Sequence, residues 1–144
     1  MTKISVATLI DATVDEVWED IRHIDRHVEW MADADEIRIT TESAEGTGVK
    51  FECDTSVGFI RMTDHMEVTQ WVDRRSISVR HVGIVTGEGE FVITPVGDTA
   101  VEFRWSETLH FPWWMGGPLG GLLGGLVFRV IWLRNLRALR KRFA

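Results

Sequence analysis

The sequence predicts an α+β fold in which an antiparallel sheet wraps a long C-terminal helix. Three observations carry that expectation. From Glu36 to about His110, apolar residues recur with a period of two, the spacing of half-buried strands. Turn residues punctuate the same stretch at Gly46 and Gly48, Gly58, Asp73-Arg74-Arg75, Gly83, and Gly97-Asp98. Then the pattern changes. Phe128, Trp132, Leu136, Leu139 and Phe143 form one stripe at helical spacing.

The charge pattern gives that helix a reason to stay with the body. Phe111 to Ala144 holds no acidic residue and six basic ones: Arg129, Arg134, Arg137, Arg140, Lys141 and Arg142. All 22 acidic residues precede it, so the body is near −12 and the tail near +6. An acidic body with an uncovered apolar sheet face can hold a basic amphipathic helix, since each element must bury its apolar side against another.

The elements follow in order. Lys3 to Ile10 alternates as a strand, with Ile4, Val6 and Thr8 on one side. Thr13 offers a helix cap and Asp15 and Glu16 sit in the first turn, so a short helix is expected over about Val14 to Arg22. Helical turns over Ile24 to Ala34 follow, with Val28, Trp30 and Met31 as apolar members. Six or so strands then form an antiparallel meander. One glycine-rich stretch carries Gly116, Gly117, Gly120, Gly121, Gly124 and Gly125. Each costs a helix interior about 1 kcal/mol relative to Ala, so a loop is expected there, with firm helix from about Leu119 to Leu122.

Composition bounds the function. At 144 residues, 44% hydrophobic and 26% charged, the chain reads as one globular domain over residues 1–144. The single Cys53 excludes an internal disulfide framework and fits a reducing cytoplasm. The N-terminus reads as a strand rather than a signal peptide. The acidic body argues against nucleic acid as a partner, because phosphate contacts need clustered Lys and Arg. Membrane contact through the tail is set aside in favour of intramolecular packing. Pro112 to Phe128 is uncharged but carries Pro118 and falls short of the ~20 apolar residues of a spanning helix. The oligomeric state, monomer or homodimer, is left open.

The chemistry-bearing residues lie on strand faces that otherwise look buried. Asp64 falls between Met62 and Met66, His81 follows Ile77 and Val79, and Glu107 falls between Trp105 and Leu109. A buried ionisable group is costly unless it is paired or used. If these faces point inward, Asp64, His81 and Glu107 converge as candidate acid/base groups. The alternative is that they pair structurally, or that a one-residue slip turns them outward. The same faces offer Phe51, Thr55, Met62, Phe91, Phe103 and Trp105 as ligand contacts, with Trp30 and Trp113 at a cavity entrance. Trp18, Trp71 and Trp132 are assigned to the core.

No metal or other cofactor is expected. His23 and His27 have i, i+4 spacing but no third ligand nearby, and solvated turn charges explain them better. Gly87-Glu88-Gly89 is followed by no helix, so it is not a dinucleotide loop; its glycines are expected to let a strand bend. Cys53 is expected to be a buried structural thiol.

The order of elements, with IDATVDEVWEDI at 10–21, EW at 29–30, TDHMEV at 63–68, GIVTGEGEFVITP at 83–95 and FPWWMGG at 111–117, resembles the START-like superfamily, in particular its polyketide cyclase/dehydrase group. The resemblance covers the whole chain. It implies a helix-grip fold, seven strands around the C-terminal helix, enclosing an apolar cavity. It also implies a small hydrophobic ligand, lipid- or polyketide-like, with or without cyclase chemistry. A partner-binding module using Trp113-Trp114 is the third possibility, and would show as an exposed apolar patch without a cavity.

Overall fold

The computed structural model describes the backbone throughout Met1–Ala144 and the surroundings of every residue except Met115, Gly117 and Pro118. Strand β1 (Thr2–Ile10) buries Ile4, Val6 and Ile10. It ends where Thr13 caps helix α1 (Val14–Ile21). Thr13 Oγ1 accepts from the Glu16 N–H at 3.2 Å, and Glu16 Oε1 accepts from the Thr13 N–H at 3.3 Å. This reciprocal box stabilises the helix start by about 1 kcal/mol. Helix α1 buries Val17, Trp18 and Ile21, and a 3-10 turn (Ile24–Glu29) follows.

The remaining strands are β2 (Ala34–Ile39), β3 (Lys50–Val57), β4 (Ile60–Val72), β5 (Ser76–Val82), β6 (Thr86–Val96) and β7 (Ala100–His110). They form one antiparallel seven-stranded sheet in the order β1-β7-β6-β5-β4-β3-β2. Strands β2 to β7 are a meander whose last strand pairs with β1, for example Val6 with Trp105. A bulge between Val68 and Gln70 shifts β4. Trp71 therefore pairs with Ile77 and meets Trp18 edge-on at 5.3 Å.

Helix α2 (Gly117–Lys141) lies on the concave face and buries Trp132, Leu136 and Leu139. Arg142 closes its far end: its guanidinium donates to both Asp20 oxygens at 2.8 Å and to Glu29 at 2.9 Å. Arg129 Nη1 donates to the Ser5 carbonyl at 3.0 Å. Both contacts are basic tail on body, and the Arg142 contacts match opposite charges.

The helix starts earlier than its glycines suggest, at Gly117 rather than near Leu119 to Leu122. The reason is close approach to β1. A Cβ on Gly121 would lie 2.9 Å from Thr2 Oγ1, and one on Gly125 would lie 2.8 Å from Thr2 Cγ2. Thr2 Oγ1 also donates to the Gly121 carbonyl at 3.2 Å. Packing at this distance offsets the poor helix propensity of glycine. The outer side of the same stretch exposes Leu119, Leu122, Leu126 and Val130. Leu119–Lys141 is long and apolar enough to cross a membrane by length and composition alone.

Candidate ligand-binding site

A cavity of about 360 Å³ lies between the concave face of the sheet and α2. That is the lower end of the ~300–1,000 Å³ range of small-molecule sites. Phe51, Met62, Met66, Val79, Phe91 and Trp105 supply apolar wall from the sheet, and Gly124, Phe128 and Trp132 supply it from the helix. The indoles of Trp105 and Trp132 stack across the sheet–helix boundary, with centroids 4.3 Å apart and planes 13° apart.

His81, Glu107, Asp64 and Thr55 form a polar group on this wall. His81 Nε2 and Glu107 Oε1 are 2.7 Å apart, and each side chain is 9% exposed. The two residues stand on β5 and β7, which are not neighbours. Second-neighbour strands are about 9–10 Å apart. Their side chains meet because β6, running between, presents glycine there: Gly87 pairs with His81, and Gly89 pairs with Glu107. A Cβ on Gly89 would sit 2.6 Å from both Cγ and Oε1 of Glu107. These glycines therefore do more than let a strand bend. Gly89 opens the space that the Glu107 side chain fills.

The electrostatics follow from that geometry. Burial pulls the His81 imidazole down, but the Glu107 hydrogen bond and the Glu107 and Asp64 charges outweigh it and hold the pKa above its ordinary value. Burial pushes the Asp64 carboxyl up, opposed by the His81 charge and by Thr55. Thr55 Oγ1 donates to Asp64 Oδ2 at 3.0 Å. Burial also pushes the Cys53 thiol up to about 12, which leaves it a poor nucleophile.

Replacing Gly89 with Ala is expected to displace Glu107 and strip His81 of its partner. Burial then dominates, so the His81 pKa falls below its wild-type value. An NMR titration of the imidazole reads this directly, and an unchanged His81 pKa in a folded Gly89→Ala protein contradicts the arrangement.

The other sequence candidates divide. Phe51, Thr55, Met62, Phe91 and Trp105 line the cavity. Trp30, Phe103 and Trp113 do not. Trp30 is 3% exposed and is packed edge-on against Phe103 at 6.2 Å and Trp105 at 6.0 Å. Phe103 is 0% exposed and lies 5.2 Å from Phe91. Both belong to the solid core beyond the cavity, because an inward face does not fix how far along the strand the void begins. Trp113 is 84% exposed and stands outside, with Trp114 also exposed. The partner-module alternative required such a patch without a cavity, and here both are present.

Several lining groups escaped the sequence reading. Trp132, assigned to the core, forms cavity wall as well. His27 is buried, not a solvated turn residue. Its Nε2 donates to the Ile21 carbonyl at 2.8 Å, and burial lowers its pKa to about 4. Asp33 accepts from Asn135 Nδ2 at 2.7 Å, and Asn135 Oδ1 accepts from the Ala32 N–H at 2.9 Å. Burial raises the Asp33 carboxyl. The available signal was Asn135 itself, a polar residue in a helix turn occupied by Trp132, Leu136 and Leu139. Among the described residues no group of three or more His, Cys, Asp or Glu is placed to hold a metal ion.

A seven-stranded antiparallel sheet closed over a long C-terminal helix, with a cavity between them, defines the helix-grip class of START-like proteins. Within that class the chain belongs to the family described as polyketide cyclase / dehydrase and lipid transport, whose model matches residues 1–144. Among proteins of curated function no sequence match is found. Solved structures share the fold at low identity. A Thermus thermophilus protein superposes with a TM-score of 0.84 at 14% identity, covering 98% of this chain and 96% of that one. A START superfamily protein from Mycobacterium smegmatis gives 0.81 at 11%, covering 99% and 97%. The Zhui aromatase/cyclase from Streptomyces sp. R1128 gives 0.81 at 13%, covering 97% and 92%.

Proposed function

We propose that the protein binds a small amphipathic molecule, lipid- or polyketide-like, in the cavity between sheet and α2. The observation that carries this reading is the cavity itself: mostly apolar, lined by Phe51, Phe91, Trp105 and Trp132, with its hydrogen-bonding groups gathered at His81, Glu107, Asp64 and Thr55. An apolar body with a polar head matches that division. We place this activity in the cytoplasm, in keeping with one buried, unpaired thiol. Native mass spectrometry of freshly purified protein, followed by organic extraction, tests it. A bound apolar compound at one per chain is expected. Failure to bind any amphipathic probe added afterwards sinks the reading.

A second reading, a polyketide cyclase or dehydrase, is favoured by one observation, the 2.7 Å contact of His81 with Glu107 inside the cavity. A methylene flanked by two carbonyls loses its proton readily to an oriented base. The neutral imidazole of His81 would take that proton, and the imidazolium, stabilised by Glu107, would return it to the new alkoxide or to a departing hydroxyl. The Glu107 hydrogen bond and the Glu107 and Asp64 charges favour the imidazolium, holding the His81 pKa above its ordinary value. Under this reading Glu107→Gln lowers turnover of a bound polyketide by about 10²-fold or more while its affinity stays within a few-fold. Equal loss of both contradicts acid/base chemistry at this pair.

A further inference from the structure

The ligand's head group can be narrowed further, on the reading that the cavity is a ligand site. Four acidic residues line this space: Asp33, Asp64 and Glu107, which are screened from bulk solvent, and Glu90, which is exposed on β6. Among the described lining residues there is no Lys or Arg. The basic residues of the tail, for all their number, stand elsewhere: Arg129 holds the Ser5 carbonyl and Arg142 holds Asp20 and Glu29. Among the described lining residues the imidazoles are His27, whose pKa burial lowers to about 4, and His81, which is already paired with Glu107.

The hydrogen bonds also leave acceptors over. Asp64 uses Oδ2 for Thr55, and Glu107 uses Oε1 for His81. No protein donor is found for Asp64 Oδ1 or Glu107 Oε2 among the described residues, yet no buried side-chain oxygen lacks a partner. Those two oxygens therefore keep access to open space, and both residues line the cavity. A site with spare acceptors and no free cation suits a donor. It disfavours an anion, which would lose its water without gaining a counter-charge.

We infer that the cavity selects amphipathic ligands whose head is a hydrogen-bond donor, a hydroxyl or an amine, and excludes free carboxylates and phosphates. Asp64 and Glu107 are the specificity-determining residues: they accept from the head group, and they repel an anionic one. A fatty acid in its ionised form is thereby a poor ligand, although its chain fits the walls as well as that of the matching alcohol.

Calorimetric titration with decanol, decylamine and decanoate at pH 8 tests this, because the three probes share one apolar body. Decanol and decylamine are expected to bind, with decanoate at least tenfold weaker than decanol. In Asp64→Asn the decanoate deficit is expected to shrink several-fold and the decylamine affinity to drop. Decanoate binding as tightly as decanol to the wild-type protein overturns the inference and leaves the cavity reading standing. No binding of any of the three overturns the cavity reading itself. The wild-type comparison decides the matter even if the variant does not fold.

Discussion

Lowering the pH from 7 to 4 is expected to remove about 3 kcal/mol of stability through His27 alone. The buried imidazole donates from Nε2 to the Ile21 carbonyl, and its burial away from water disfavours the charged form in the folded protein. Burial lowers its pKa from 6.5 to about 4, against the smaller pull of the Ile21 bond and of Asp20 and Asp25. In the unfolded chain the same ring titrates near 6.5. Between pH 6.5 and 4 the unfolded state therefore binds the extra proton, and stability falls as pH falls, by about 1.4 kcal/mol for each pH unit crossed. His81 works in the opposite direction. Its raised pKa adds stability that is fully present below pH 6.5 and lost as pH rises through its folded pKa. Asp33 and Asp64, raised by burial, regain some stability on acidification. The clean readout is thus a difference: urea midpoints across pH 4 to 7 for the wild type and for His27→Gln. The variant, whose amide can still donate, is expected to show a much flatter profile. Parallel profiles refute the assignment.

Phe103→Ala is expected to cost about 3–5 kcal/mol, the usual loss for a buried Phe. For a chain of this size that corresponds to a fall in Tm of roughly 10–15 °C. The ring is 0% exposed and sits among Trp30 and Phe91, with the aromatic cluster running on to Trp105. Phe103→Leu keeps most of the volume and is expected to lose far less. Ligand affinity in the folded Phe103→Leu protein stays near wild type, because Phe103 is core and not wall. Thermal denaturation and a probe titration check both halves. A large affinity loss in Phe103→Leu with little change in Tm returns Phe103 to the ligand.

The fold was legible because its signals are local. The period-two runs, the glycine and Asp-Arg-Arg turns and the Thr13 cap each sit in a few consecutive residues. The inward facing of Asp64, His81 and Glu107 was legible for the same reason, since alternation assigns a face. Their contacts were not. That His81 meets Glu107 depends on β6 lying between β5 and β7, and on glycines at two particular register positions. Neither can be read from spacing along one strand. Height along the sheet was hidden too, which is why Trp30 and Phe103 were assigned to a ligand that the void does not bring to them. His27 and Asn135 were missed because their partners, Ile21 and Ala32 with Asp33, offer backbone atoms and a loop carboxylate that carry no hydrophobic pattern.

The most direct test of ligand binding in the cavity is to fill it. Val79 lines the wall on β5 opposite Gly89 and is only half-buried, so a larger side chain there has open space to enter. Decanol is titrated by calorimetry into the wild type and into Val79→Trp, with circular dichroism confirming equal folding. The expected result is saturable binding at one site per chain in the wild type and at least tenfold weaker binding in Val79→Trp. Equal binding to both proteins contradicts the account, and would send the ligand instead to the exposed outer face of α2 around Leu122 and Leu126.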